Sequence, residues 1–328
     1  MASSSKPSSP KPVILATRKL PQPVEQRLSG AYEAILNPDD RQLPIDELLR
    51  IAEGVDGILC TLTDKMTPAV IAALPARVKI LTTFSVGYDH IDIPAAKARG
   101  LVVTNTPGAL TDATAEIAFL LLLGAARRAY EGESMLRSGQ WTGWAPTQLM
   151  GRQLHGKRLG IAGMGRIGQA VAKRALAFGM TIHYHGRRAV DLPADLPATF
   201  HADDADFLAQ CDYLSIHMAS TPETRHWLNA RRVGLLPQGA IVVNTARGDL
   251  VHDEALIEGL TNGHLGAAGL DVFAGEPNID QRYLPIPNAM LLPHLGSATV
   301  QTRCAMGFRA LDNLDAYFAG KVPGDKLA

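Results

Sequence analysis

The sequence predicts an α/β fold of two domains built on parallel sheets. Three observations carry that expectation. The chain has 328 residues, more than one hydrophobic core usually spans. Short apolar runs alternate with helical patterns from the start, and a glycine fingerprint of the strand–turn–helix kind appears only after residue 160.

The first dozen residues, MASSSKPSSPKP, hold Ser, Pro and Lys but no apolar centre, so 1–12 predicts a disordered tail that cannot act as a secretory signal. PVILA (12–16), GILC (57–60), KILTTF (79–84) and LVVTN (101–105) then read as strands of parallel β/α units. None of them leads into the glycine fingerprint, which places the start of a nucleotide domain mid-chain. From Thr111 the pattern turns helical, with Asp112 and Glu116 near the positive end of the helix dipole and Arg127 and Arg128 towards the other. The apolar run 117–126 inside it falls short of the ~20 residues that cross a bilayer, so a long, buried connecting helix is expected and a membrane partner is not. GQWTGWAP (139–146) reads as a loop. A second β/α series follows through RLGIAG, MTIHY, YLSIH, AIVVNT, GAAGLDV and AMLLP, and a last helix at about 299–319 is expected to pack through Val300, Cys304, Phe308, Leu311 and Phe318.

Charge and cysteine content bound the function. The 32 basic and 32 acidic side chains cancel, so no global field recruits nucleic acid, and any anion must be recognised by a local site. Cys60, Cys211 and Cys304 are an odd, scattered set without a Cys-x-x-Cys pair, which fits buried free thiols in a reducing, cytoplasmic setting. No His, Cys and Asp grouping has metal-ligand spacing, so no metal is expected.

Gly163-Met164-Gly165-Arg166-Ile167-Gly168 follows the strand RLGIA and opens the helical run QAVAKRALAF. That context predicts a Rossmann-type, doubly wound NAD(P)-binding domain. The first glycine makes the turn, the second lets backbone reach a pyrophosphate, and the third lets the helix pack close with its amides towards the anion. The acidic residue that usually follows about 20 positions on, to take the ribose 2′-hydroxyl, is missing. The next strand ends His183-Tyr184-His185-Gly186-Arg187-Arg188, placing two guanidinium groups where a carboxylate would repel a 2′-phosphate. NADP(H) is therefore expected as the preferred cofactor, with NAD(H) use possible; surface arginines without a ligand are the alternative.

Three later strands end in residues suited to acid–base chemistry: AIVVNTA leads to Arg247, GAAGLDV to Glu276 and AMLLP to His294. In open α/β sheets ligands bind beyond the carboxyl ends of strands, where these side chains could converge. A 2-oxo acid needs a cation for its carboxylate and carbonyl oxygen and a proton donor that titrates near neutrality, which Arg and His supply. A carboxylate beside the imidazole would fix its tautomer and favour its charged form. His183, His185, His217 and His264 are poorer candidates, the first three by their place beside the cofactor strand ends and His264 for want of a preceding strand.

Nearly the whole chain, the first dozen residues excepted, resembles the D-isomer-specific 2-hydroxyacid dehydrogenase family. The resemblance lies in FSVGYDHID (84–92), GMGRIGQAVAKRALAFGM (163–180), STPETRHWLN (220–229), VVNTARGDLVHDEAL (242–256), GLDVFAGEP (269–277) and LLPHLGSAT (291–299). VTNTPGALTDATAE (103–116), Arg187-Arg188 and the Trp141/Trp144 loop look most like glyoxylate/hydroxypyruvate reductases. The resemblance implies a smaller flavodoxin-like substrate domain from 13–108 and 298–328, an NAD(P) domain from 109–297, and a substrate cleft between them. It puts the backbone of Val86 and Gly87 on the substrate carboxylate, Arg247 on carboxylate and carbonyl, and Asp271 at the nicotinamide end. Ala219, Thr245, Ala246, His294 and Gly296 would line the cofactor path. Hydride would pass from the nicotinamide to the carbonyl carbon while His294 gives a proton to the oxygen and Glu276 supports the imidazolium. The family associates as homodimers, and a loop tryptophan, here Trp141, reaches the partner's substrate pocket. The alternatives are a family member acting on D-lactate or a bulkier 2-oxo acid, and a non-catalytic dinucleotide-sensing scaffold of the corepressor kind. Gly186 departs from the Asp of NAD-using relatives.

Overall fold

A computed structural model of the chain describes residues 10–328. The predicted tail therefore lies for the most part outside the described residues. The chain divides into two compact units, one of the described residues up to Leu110 with Thr299–Ala328, the other Thr111–Ala298.

The first unit holds five parallel strands, β1 (Val13–Ala16), β2 (Glu33–Ile35), β3 (Gly57–Cys60), β4 (Ile80–Thr83) and β5 (Val102–Thr104), in the order β2-β1-β3-β4-β5. This is the flavodoxin-like order. β3 and β4 are buried throughout, as expected of strands covered on both faces. One face packs on Leu48, Val70 and Ile71, the other on Val24, Leu28, Ala310 and Leu314. β2 was not legible as a strand, being only three residues at a sheet edge.

The last helix, Val300–Phe318, belongs to this unit and is capped by Thr299, whose hydroxyl accepts from the Thr302 amide at 3.0 Å. Its packing face is in part the expected one: Leu311 is buried and Phe308 and Phe318 pack half-buried against the same core, whereas Val300 is 77% exposed. Met306, Gly307, Ala310 and Leu314 complete the buried face. A Cβ on Gly307 would stand 2.5 Å from Val24 Cγ2, so the helix approaches Val24 through its smallest residue.

The second unit holds seven parallel strands: β6 (Arg158–Ala162), β7 (Thr181–His185), β8 (Thr199–His201), β9 (Tyr213–Ile216), β10 (Ala240–Asn244), β11 (Leu265–Leu270) and β12 (Ala289–Leu291). Their order is β12-β11-β10-β9-β6-β7-β8. Strand order reverses between β6 and β9, the switch point at which a doubly wound sheet opens a ligand crevice. The helix Thr111–Ala126 is buried along most of its length and packs Leu121 on Gly269 of β11. It ends just before Arg127 and Arg128, the pair expected towards its far end. Arg128 takes a left-handed conformation, φ 55°, and a second helix, Ala129–Arg137, follows; Glu131 binds the Arg128 guanidinium at 2.6 and 2.8 Å. The segment after it carries no regular structure and exposes Trp141 and Trp144.

Candidate active site

The cofactor end is built at the switch point. Gly163 leaves β6 at φ 100°, and a Cβ there would lie 2.7 Å from the Met218 amide nitrogen after β9, so the turn requires glycine. A Cβ on Gly168 would meet the Gly163 carbonyl oxygen at 2.3 Å, which keeps the helix Arg166–Ala177 against the turn. Around Gly165, by contrast, nothing lies within 4 Å of a Cβ position. The helix has no side-chain cap and no acidic residue in its first turn, so its leading amides stay available to an anion. Thr245, after β10, has a buried hydroxyl with no partner among the described residues. An open second glycine, an uncapped helix start and an orphaned hydroxyl fit a dinucleotide.

At the end of β7, Gly186 is followed by the exposed Arg187 and Arg188, for which no bond to a described residue is formed. His185 is turned inward: its Nδ1 donates to the His201 carbonyl at 3.0 Å and its ring stacks on Phe207. Ala219 is exposed and its carbonyl accepts from Thr224 Oγ1 at 2.8 Å. The other histidines set aside on sequence grounds are held in local contacts. His183 meets His201 at 2.9 Å, and burial, with the neighbouring His201, pushes it down. His217 meets Ser215 at 2.8 Å and burial pushes it down to about 4, so it is neutral. His264 contacts Gln238 and the Val233 carbonyl.

The catalytic candidates come from three strand ends. Asn244 closes β10 and folds its side chain back on the next turn, accepting from the Ala246 amide at 3.0 Å and donating to the Arg247 carbonyl at 2.8 Å. Arg247 itself is half-buried and donates from Nη1 to the Ala246 carbonyl at 2.7 Å. After β11, Asp271 is fully buried. Its backbone carbonyl accepts from the His294 amide at 2.9 Å, and its two carboxylate oxygens accept from Leu295 and Gly296 at 2.6 and 2.8 Å. Burial raises the Asp271 carboxyl against the lowering by those two amides. Sequence reading placed Asp271 at the nicotinamide; in the fold it also anchors the turn that carries His294. That turn needs an anchor, because His294 sits at φ 55°, a region costly for a non-glycine residue. Gly296 packs under it, its carbonyl accepting from Thr114 Oγ1 at 3.1 Å.

Glu276 and His294 meet. Glu276 Oε2 stands 2.8 Å from His294 Nδ1, and Oε1 accepts from the Phe273 amide at 2.7 Å. Burial works to raise the Glu276 carboxyl, but the hydrogen bond and charge of His294, the Phe273 amide and the charge of Arg247 together hold it below its usual value. An ionised carboxylate can only accept, so Nδ1 carries the proton and donates, and Nε2 is the nitrogen left for chemistry. The three candidates thus form one electrostatic group.

In the first unit, Val86 and Gly87 follow β4 and are half-buried, with Tyr88 exposed beside them. Sequence reading missed what holds them: Ser85 and Asn105 hydrogen-bond to the Gly87 and Val86 carbonyls at 2.7 and 2.8 Å. It also missed Gly248, on which a Cβ would lie 1.9 Å from the Phe273 carbonyl carbon. All three lie inside the motifs that carry the family resemblance, and that membership is the signal the sequence offers for them. Among the described residues no group of three or more His, Cys, Asp or Glu side chains could hold a metal ion, and no helix is long and apolar enough to cross a membrane.

Comparison with known proteins decides the family. Residues 119–296 match the profile of the D-isomer specific 2-hydroxyacid dehydrogenase, NAD binding domain. The chain is 48% identical over 309 residues to a glycerate dehydrogenase of Hyphomicrobium methylovorum, covering 94% of this chain and 96% of that one. It belongs to the D-isomer-specific 2-hydroxyacid dehydrogenase family. This dehydrogenase is also 41% identical to a glyoxylate reductase of Thermococcus litoralis, covering 95% of this chain and 96% of the relative. Among solved structures it resembles an NADPH-dependent glyoxylate/hydroxypyruvate reductase from Sinorhizobium meliloti, crystallised with NADP and malonate. The TM-score is 0.87 at 35% identity, covering 97% of each chain.

Proposed function

We propose that this dehydrogenase reduces glyoxylate and hydroxypyruvate to the corresponding 2-hydroxy acids, with NADP(H) preferred over NAD(H). The observation that carries the reading is the 2.8 Å contact of His294 Nδ1 with Glu276, within the field of Arg247. It stands in a chain similar to a glycerate dehydrogenase and to glyoxylate reductases; oxidation of glycerate at its second carbon gives hydroxypyruvate, so both names describe one kind of interconversion.

The Thr111–Ala298 unit holds the cofactor. The leading amides of the helix Arg166–Ala177 take the pyrophosphate, Arg187 and Arg188 take a ribose 2′-phosphate, and Ala219, Thr245, Ala246 and Gly296 line the nicotinamide half. Bound nicotinamide supplies the hydride. Arg247 neutralises the substrate carboxylate and polarises its carbonyl, with further donors from the backbone of Val86 and Gly87. His294 gives its Nε2 proton to the carbonyl oxygen as the carbonyl carbon accepts the hydride. Glu276 keeps Nδ1–H in place, so the imidazole returns to the tautomer that can be reprotonated at Nε2. A homodimer is part of this reading, with Trp141 of one subunit entering the substrate pocket of the other; its exposure, with Trp144, leaves an apolar feature that a monomer seldom shows to water. The cytoplasm is its proposed location, in keeping with free thiols at Cys60, Cys211 and Cys304.

The test is oxidation of NADPH and of NADH with glyoxylate, hydroxypyruvate, pyruvate and a bulkier 2-oxo acid. Highest kcat/KM for the first two with NADPH is expected; a clear preference for pyruvate or for NADH would refute the reading.

A further inference from the structure

The turn 85–88 holds three consecutive peptide groups in a common setting. The Ser85 carbonyl accepts from the Thr106 amide at 2.9 Å, the Val86 carbonyl from Asn105 Nδ2 at 2.8 Å, and the Gly87 carbonyl from Ser85 Oγ at 2.7 Å. In a trans peptide the C=O and the following N–H point in opposite directions. Fixing three successive carbonyls therefore aims the Val86, Gly87 and Tyr88 amides the other way, and none of these amides has an acceptor among the described residues. Successive unpaired amides of this kind form an anion-binding concavity.

The side chains behind the turn are joined in a chain whose direction follows from counting protons. A carbonyl oxygen only accepts, so Ser85 donates its single hydroxyl proton to Gly87. Thr83 Oγ1, 2.8 Å from Ser85 Oγ, must then be the donor between the two hydroxyls. Its own proton being committed, Thr83 can only accept from His90 Nε2 at 3.0 Å. His90 therefore carries its proton on Nε2. The neighbouring Cys60 thiol, pushed well up by burial, keeps its proton and does not compete for that of Thr83. Thr83, Ser85 and His90 are all buried, so each bond is held away from water.

We infer that Thr83, Ser85, His90 and Asn105 are positioning residues that set the amides of 86–88 for the substrate carboxylate. The inference rests on the proposed 2-oxo acid reductase activity and adds what fixes its carboxylate contact. These residues act through backbone, so their loss weakens carboxylate binding while hydride and proton transfer proceed nearly as before.

The test uses the full chain with NADPH. Ser85→Ala should raise KM for glyoxylate and weaken oxalate binding, measured calorimetrically on the NADPH complex, by about five- to tenfold, the effect of one hydrogen bond. kcat should stay within about threefold and NADPH affinity should not change. Thr83→Val keeps the shape and removes the donor to Ser85; it should move the same two quantities the same way, and it serves if Ser85→Ala does not fold. Nitrogen-15 NMR of the histidine rings should show His90 protonated at Nε2. Unchanged KM and oxalate affinity in folded variants, or a His90 ring with Nε2 bare, overturns the positioning role and leaves the proposed activity standing. A wild-type protein that shows the Nε2–H ring yet neither reduces glyoxylate nor binds oxalate overturns the activity, and the carboxylate role with it.

Discussion

Replacing Gly248 by Ala places a methyl group where the backbone of another loop already runs. A Cβ there stands 1.9 Å from the Phe273 carbonyl carbon, 2.1 Å from the Ala274 nitrogen and 2.3 Å from the Phe273 oxygen. Ordinary carbon contacts begin at about 3.5 Å, so the two backbones must part by roughly 1.5 Å. No flexible side-chain tip is available to give way. One side of the contact follows Arg247 directly; the other is the start of the turn whose Phe273 amide holds Glu276 Oε1 at 2.7 Å. Parting them separates Arg247 from the Glu276–His294 pair. Misplacement of about 1 Å in a reacting constellation costs on the order of 100-fold in rate, and overpacking costs roughly 1–3 kcal/mol of stability. Gly248→Ala should thus lower kcat for glyoxylate reduction about 100-fold and lower the unfolding midpoint, with NADPH affinity falling less than kcat, because Thr245 and Ala246 adjoin the displaced backbone while the pyrophosphate turn at Gly163 lies elsewhere. Steady-state kinetics, fluorescence titration of NADPH and thermal unfolding read the three quantities. A folded variant with kcat within about threefold of wild type would refute the claim that this contact sets the catalytic geometry.

Three further outcomes follow from the same geometry. Changing Arg187 and Arg188 together to Ala should weaken NADPH binding by at least about tenfold, since charge-assisted hydrogen bonds contribute about 1.5–3 kcal/mol each, while NADH binding stays as it was; equal losses for both cofactors would count against the 2′-phosphate role. Trp141→Ala should alter the ratio of kcat/KM among 2-oxo acids more than it alters NADPH affinity, and a uniform loss would point to assembly or folding instead. Glu276 is held below its usual value, so it remains ionised from neutral into mildly acidic solution and accepts from His294 Nδ1 at 2.8 Å. Glu276→Gln replaces that carboxylate by a neutral amide and weakens the hold on Nδ1–H, so kcat for glyoxylate reduction should fall by about tenfold or more with NADPH affinity little changed; a kcat within about twofold of wild type would contradict the pairing.

The class of the fold was legible because parallel strands buried on both faces leave continuous apolar runs, and GILC and AIVVN read that way at once. β2 and β8 were not, since a three-residue edge strand such as Glu33–Ile35 carries no such run. On the last helix Leu311, Phe308 and Phe318 were legible as packing residues, but counting large apolar residues also favours the exposed Val300 and passes over Gly307, whose smallness is what lets Val24 approach. At the candidate site, Arg247, Glu276 and His294 could be picked out by residue type at strand ends. The residues that hold them could not. Asp271 reads as a ligand-facing acid and binds the His294 turn by three hydrogen bonds, and Ser85, Asn105 and Gly248 act through backbone, which leaves no chemical signature in a side chain.

The role of His294 as the proton donor is tested by His294→Ala measured with glyoxylate and NADPH. General acid catalysis contributes about 10²–10⁴-fold, so kcat should fall by at least about 100-fold while fluorescence titration shows NADPH bound as in wild type. A variant that retains more than about a tenth of the wild-type kcat, with cofactor bound normally, would contradict the assignment.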